Sequence, residues 1–254
     1  MPFAARPRSI GDHYRTFIRG MREAPRAGSR TGAAGAGGGG ATGPNGIIAL
    51  MSPRTINSRP VALAVWLVIA GIIGWIAAFA LTVEKFHAYA NPGTAASCDF
   101  SIIVQCTENL NSPQGSVFGF PNPILGLTGW VAPIVVGMAI LAGARFARWF
   151  WWAFFAGITF AFGFVLWLIG QSIYVLGTLC PWCMVTWLVT IPTFYAVAVH
   201  LVRSGVVSDA PRVRAAGAAL APWVPLMAFV TYAVVLLLAQ LRLDAIPQLI
   251  DVIF

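Results

Sequence analysis

Residues 149–202 read WFWWAFFAGITFAFGFVLWLIGQSIYVLGTLCPWCMVTWLVTIPTFYAVAVHLV, two apolar runs at 149–176 and 181–202 separated by a tight Gly177-Thr178 turn. A helix needs about 20 apolar residues to cross the hydrocarbon of a bilayer, and each run is long enough. Between them sits Cys180-Pro181-Trp182-Cys183, a C-x-x-C at the mouth of the second run and hence at a membrane surface. A dithiol at this spacing closes a small reversible disulfide, so redox work is the first expectation.

The whole chain shares this character. Of 254 residues 58% are hydrophobic and 9% charged, against about 25% charged in soluble domains. Three further apolar runs, at 61–83, 123–144 and 216–241, complete five spans, the last broken up by Pro222 and Pro225. The expected fold is an all-α membrane protein, a four-helix transmembrane bundle plus a fifth transmembrane helix. Gly71, Gly74, Ala77 and Ala78 give the first span a small-residue surface for close helix approach.

Charge sets the orientation. The chain has 16 Lys+Arg against 8 Asp+Glu, but no basic patch with interleaved aromatics, so no nucleic-acid partner is expected. Nine arginines precede residue 60, Arg145 and Arg148 follow the second span, and Arg203, Arg212 and Arg214 follow the fourth. Only Lys85 and Arg242 fall on the other side. The positive-inside rule then predicts a multi-pass plasma-membrane protein with a cytoplasmic N-terminus, the C-terminus outside and all four cysteines on the extracytoplasmic face. Residues 1–59, basic and Gly/Ala-rich over 31–46, bury too little apolar surface to order and are predicted to be a disordered tail. The first span is too long for the roughly 7–15-residue core of a signal peptide and reads as a signal anchor. Met51 is an alternative start.

Four outer cysteines admit three readings. Structural bridges suit that compartment, yet closing a four-residue ring gains little chain entropy. A zinc site would use two close-spaced knuckles, whereas Cys98 and Cys106 are seven residues apart and no His accompanies them at ligand spacing, so no metal is expected. The third reading is a relay. Pro181 suits a first helical position, which leaves Cys180 at the N-cap, near unpaired N–H groups that favour thiolate. A loop pair, Cys98 and Cys106, would exchange with a soluble partner and pass electrons to the fixed pair. With no flavin, dinucleotide or haem-attachment motif, a lipid-soluble quinone is the economical acceptor. Phe118, Phe120, Trp182 and Trp187 suit a flat apolar ring, or else form an interfacial aromatic belt.

The order Cys98-x7-Cys106, Ser112, Val117-Phe118-Gly119-Phe120-Pro121-Asn122-Pro123 with Gly126, then Cys180-Pro181-Trp182-Cys183 resembles the vitamin K epoxide reductase (VKOR) family in its bacterial form. The resemblance covers about residues 60–203, leaving 204–254 for the fifth helix and a short tail. It implies a bundle surrounding a quinone, menaquinone or ubiquinone, under a cap that holds the first cysteine pair. It also implies a separate extracytoplasmic thioredoxin-like (DsbA-like) partner. Carried onto this chain, Cys98 exchanges with the partner, Cys106 bridges transiently to Cys180, and Cys183 faces the quinone. Ser112 supports the site, and Phe118, Asn122 and Trp187 are the candidate quinone contacts. Where animal members carry an Asn and a Tyr, this chain has Gly115-Ser116 and Trp187. The competing functions are reduction of a quinone or quinone epoxide by other thiols, and a non-catalytic scaffold with structural disulfides.

Overall fold

The computed structural model describes residues 60–244 together with 246, 247 and 250. The expected disordered tail at 1–59 and the alternative start at Met51 lie outside the described residues.

Eight helices follow one another in the described chain. Helix α1 is Val61–Ala90, α2 Thr107–Asn111, α3 Pro123–Gly129, α4 Val131–Leu141, α5 Arg148–Gln171, α6 Pro181–Arg203, α7 Pro211–Leu220 and α8 Val224–Leu243. Five stretches are long and apolar enough to span a membrane: Val61–Ala90, Pro123–Leu141, Arg148–Leu176, Pro181–Arg203 and Pro211–Leu243. The all-α membrane fold read from the hydrophobic pattern is thus the fold observed.

Proline positions explain the breaks. Pro133 has no N–H to offer the Gly129 carbonyl, so the second span is two helices, α3 and α4, meeting at Trp130. In the fifth span Pro222 lies in the tight turn Ala221–Trp223 that separates α7 from α8. That span begins at Pro211, at the first position of α7, and so carries Arg212 and Arg214 on its first turn.

Helix α1 runs past residue 83, two turns further than its apolar stretch. Its continuation is held by the loop above it. Lys85 is buried rather than extended to a membrane edge, and its Nζ donates to the Leu110 carbonyl at 2.7 Å and to Asn111 Oδ1 at 3.1 Å. Glu84 accepts from the Ser97 hydroxyl and N–H. A charged pair at the end of a span therefore ties down the loop that carries Cys98 and Cys106.

Small residues let α1 lie close to α3 and α4. A Cβ on Gly74 would meet the Trp130 ring at 2.2 Å, and one on Gly126 would meet Ala78 Cβ at 2.7 Å. Lipid tails are as apolar as the helices, so such close packing and interhelical hydrogen bonds replace the hydrophobic drive of a soluble core. Helix α6 sits centrally, packed against α1, α5, α7 and α8. Trp66 of α1 donates to its Thr193 at 3.0 Å, and Tyr195 pairs with Thr231 of α8 at 2.9 Å.

A proline inside α6 shapes this central helix. Pro192 leaves the Leu188 carbonyl without its intrahelical donor, and the Tyr232 hydroxyl of α8 fills the gap at 2.6 Å. In hydrocarbon no water can substitute for it. Tyr232→Phe is expected to destabilise the bundle by about 1 kcal/mol, the scale of an interhelical hydrogen bond in a membrane. Pro192→Ala restores the intrahelical donor, so the same Tyr232→Phe change in that background should cost little. Thermal unfolding in detergent of the four proteins of this cycle checks both statements.

Candidate active site

The site begins with a pairing between two loops. Leu179, which precedes the C-x-x-C, donates its N–H to the Ile103 carbonyl at 2.7 Å, and Gln105 donates to the Leu179 carbonyl at 3.1 Å. This single parallel bridge, Val104 with Leu179, sets the register of the loop against the mouth of α6. Cys106 lies two residues beyond it on one side and Cys180 one residue beyond it on the other. Their sulfurs are 3.5 Å apart.

Cys98 and Cys106 are disulfide-bonded, and Cys180 and Cys183 are free thiols. Cys98, Cys106 and Cys180 are buried with Leu81 and Leu110 in one apolar cluster under the loop. Cys180 is the N-cap of α6 with Pro181 at the first position, as the sequence predicts. Its sulfur makes no capping hydrogen bond; its polar neighbours are Cys106 and Cys183.

Asp99 organises the loop pair. Its carboxylate accepts from the Cys106 N–H at 2.7 Å, the Thr107 N–H at 3.1 Å, the Thr107 hydroxyl at 2.5 Å and the Ala96 N–H at 3.3 Å. Burial works against its ionisation, but the hydrogen bonds from Thr107, Cys106 and Ala96 together outweigh it and hold the carboxyl below its usual range. A lone Asp in a loop carries no spacing signal, so the sequence does not mark Asp99 as a site residue. Its position directly after Cys98 is the only hint.

Below the cap a cavity of about 510 Å³ runs between the helices, within the size range of small-molecule sites. Cys183 and Trp187 of α6 line it, as do Ser112 and Asn122. Neither Cys180 nor Cys106 reaches it, whereas Cys183 both packs against their cluster and lines the cavity wall, so it is the sulfur that joins the loop disulfide's surroundings to the cavity. Phe118 stands behind the wall, packed against Phe120 and against Phe160 and Phe164, the last two of which line the cavity. Gly129 and Ala132 of the second span and Ala153 and Gly157 of the third also line it while being exposed, so the cavity opens sideways between these spans.

One expected contact, Asn122, and the expected supporting residue, Ser112, bond to the backbone of the cap. Asn122 donates its amide to the Gln114 carbonyl at 2.6 Å and accepts from the Val117 N–H at 3.2 Å, holding the loop closed above α3. Ser112 accepts from the Gly115 N–H at 3.1 Å and donates to the Asn109 carbonyl at 2.9 Å, capping the tight turn Pro113–Ser116. The structure adds Asn109, Gln114, Gln171 and Ser172 to the wall. Asn109 donates to Thr178 at 2.8 Å and accepts from Ser172 at 3.0 Å, linking the cap to the turn before the C-x-x-C. None of these four could be picked out by spacing, since they come from three separate segments.

Asp99→Asn keeps the shape of the side chain but turns one acceptor oxygen into a donor facing N–H groups. Faster reduction of Cys98–Cys106 by a small dithiol is the expected result, followed by thiol labelling over time. Because the folded pKa of Asp99 is lowered, its contribution to cap order is complete above the ordinary carboxylate pKa of about 3.9 and is lost as pH falls through the lowered folded value. Protease cleavage of the 91–106 loop should therefore rise only below about pH 4 in the native protein, and be independent of pH over that window in Asp99→Asn.

Comparison with curated proteins gives no match. The family model described as Vitamin K epoxide reductase family matches residues 65–198, a little more than half of the chain and the part that carries both cysteine pairs and the cavity. With this match, the five apolar helices and the paired cysteines, the chain belongs to the vitamin K epoxide reductase family and is a multi-pass membrane thiol–disulfide oxidoreductase.

Proposed function

We propose that the protein reoxidises a separate extracytoplasmic thioredoxin-like, DsbA-like partner and delivers the electrons to a membrane quinone, menaquinone or ubiquinone. One observation carries this reading: Cys180 Sγ is 3.5 Å from Cys106 Sγ, while Cys183, one helical turn further on, lines a largely apolar cavity.

The sulfur steps balance. A thiolate of the reduced partner attacks Cys98 and expels Cys106 as thiolate, and the partner's second thiol resolves that mixed disulfide, leaving an oxidised partner and a reduced loop pair. Cys106 thiolate then attacks Cys180 of a Cys180–Cys183 disulfide and expels Cys183 into the cavity wall. Cys98 attacks Cys106 in turn, restoring the loop disulfide and freeing Cys180. The state left behind, with the loop pair bonded and Cys180 and Cys183 as thiols, is the one described above. Quinone supplies the final oxidant: it takes two electrons and two protons as Cys180 and Cys183 close their disulfide, and leaves as quinol.

The cavity suits this substrate class. Trp187, Phe160 and Phe164 offer apolar surface to a planar ring, and the opening between the second and third spans faces lipid, where a long apolar tail belongs. In this reading the cysteine end of the bundle is extracytoplasmic and residues 1–59 are cytoplasmic, as the arginine distribution predicts.

Purified protein mixed with a quinone and a reduced thioredoxin-like oxidase should produce quinol, followed by absorbance. Cys180→Ser and Cys183→Ser should each abolish it, and quinol formation surviving either change would sink the assignment. Cys106→Ser should accumulate a mixed disulfide between Cys98 and the partner, visible on a non-reducing gel.

A further inference from the structure

One amide oxygen in the cavity wall is buried without a hydrogen-bond partner. Most of the wall's amides and hydroxyls are bound elsewhere in the protein. Asn109, Ser112 and Asn122 hold the cap together. Thr186, Thr190 and Thr193 donate their hydroxyls to carbonyls four residues back in α6, at 3.2, 2.7 and 2.6 Å. Gln114, on the tight turn of the cap, and Gln171, at the end of α5, differ. The Gln114 amide nitrogen donates to Gln171 Oε1 at 3.3 Å, yet the Gln114 Oε1 is buried and has no hydrogen-bond partner. Both residues line the cavity.

A buried amide oxygen without a donor costs about 1–3 kcal/mol, so an orphan of this kind needs a reason. The two amides give one. A primary amide has one acceptor oxygen and two donor hydrogens. Bonded as they are, the pair leaves the Gln114 oxygen as a spare acceptor and the Gln171 amide N–H groups without a partner among the described residues. If both amides rotate by half a turn, Gln171 donates to Gln114, the bond between them survives, and Gln114 turns an N–H outward instead. The same side chain then offers either an acceptor or a donor at one point in the wall.

We propose that the Gln114–Gln171 amide pair is the polar contact for the ring oxygen of the cavity's ligand, accepting from a quinol hydroxyl in one orientation and donating to a quinone carbonyl in the other. The proposal rests on the quinone reading and sharpens it. A substrate that enters as an acceptor and leaves as a donor is met by a group that can be both, with no change in the wall's charge.

The test uses the full-length protein in detergent with a quinone, its quinol and a reduced thioredoxin-like oxidase. Gln114→Leu should raise both the quinone KM and the quinol product-inhibition constant, each by about five- to tenfold, the worth of one hydrogen bond. The rate at which the reduced partner opens the Cys98–Cys106 disulfide should not change. Gln171→Leu, which leaves Gln114 in place without its companion, should move both constants in the same direction by less. Unchanged constants in Gln114→Leu overturn the proposal, and so does a partner half-reaction that falls in step with them, since that reports a collapsed cap. Should Gln114→Leu not fold, unchanged constants in Gln171→Leu overturn it equally. A wild-type protein that forms no quinol at all would defeat the quinone reading itself; normal turnover with unmoved constants would defeat only the role of the pair.

Discussion

The relay depends on two backbone hydrogen bonds. The pairing of Ile103 and Gln105 with Leu179 is the shortest form of a parallel ladder, and it joins a loop to a helix mouth some 70 residues away in sequence. Without it the cap would have only side-chain ties to the mouth of α6, and Cys106 would have no fixed place. With it, the positions of Cys106 and Cys180 follow from counting along two extended segments, and their sulfurs fall into contact. The bridge also satisfies backbone groups that would otherwise be stranded near the membrane surface.

Around this bridge the cap is built for controlled rigidity. Lys85 anchors its far side from α1, Asp99 gathers the N–H groups next to Cys106, and Asn109 ties α2 to Thr178 and Ser172. Lys85 ties the cap to the first span and Asn109 ties it to the end of the third, while Asp99 acts within the loop itself. Each uses a charge-assisted or amide hydrogen bond where a small loop has too little apolar surface to hold itself. The fixed element beneath is α6, whose N-terminus presents Cys180 upward and Cys183 into the cavity. Its internal proline is tolerated because α8 supplies the missing donor through Tyr232. Helix α8 of the fifth span, outside the stretch that matches the family, thereby supports the helix that carries the chemistry.

The division of the C-x-x-C into two environments is a consequence of helical geometry. Cys180 precedes the helix in extended conformation, whereas Cys183 lies within its first turn. A step of three residues across a helix start is enough to leave Cys180 buried beside the loop disulfide while Cys183, packed against the same cluster, also reaches the wall of the apolar cavity. Electron transfer between two compartments of the site then requires only that the two thiols close on each other.

Much of this was legible from the sequence alone. Hydrophobic run lengths determined five spans, because a bilayer's thickness imposes a minimum length whatever the tertiary structure. Pro181 determined where α6 starts, Gly71 and Gly74 marked the surface of close approach, and the spacing of Cys98, Cys106, Cys180 and Cys183 pointed to paired thiols. Only the tertiary structure decided which sulfurs meet, that Lys85 is buried as an anchor, that Asn122 and Ser112 spend their hydrogen bonds on the cap, and that Gln114 and Gln171 share the cavity wall. Those outcomes depend on long-range pairings across the bundle, and a polar residue in a loop carries no local pattern from which its partner can be read.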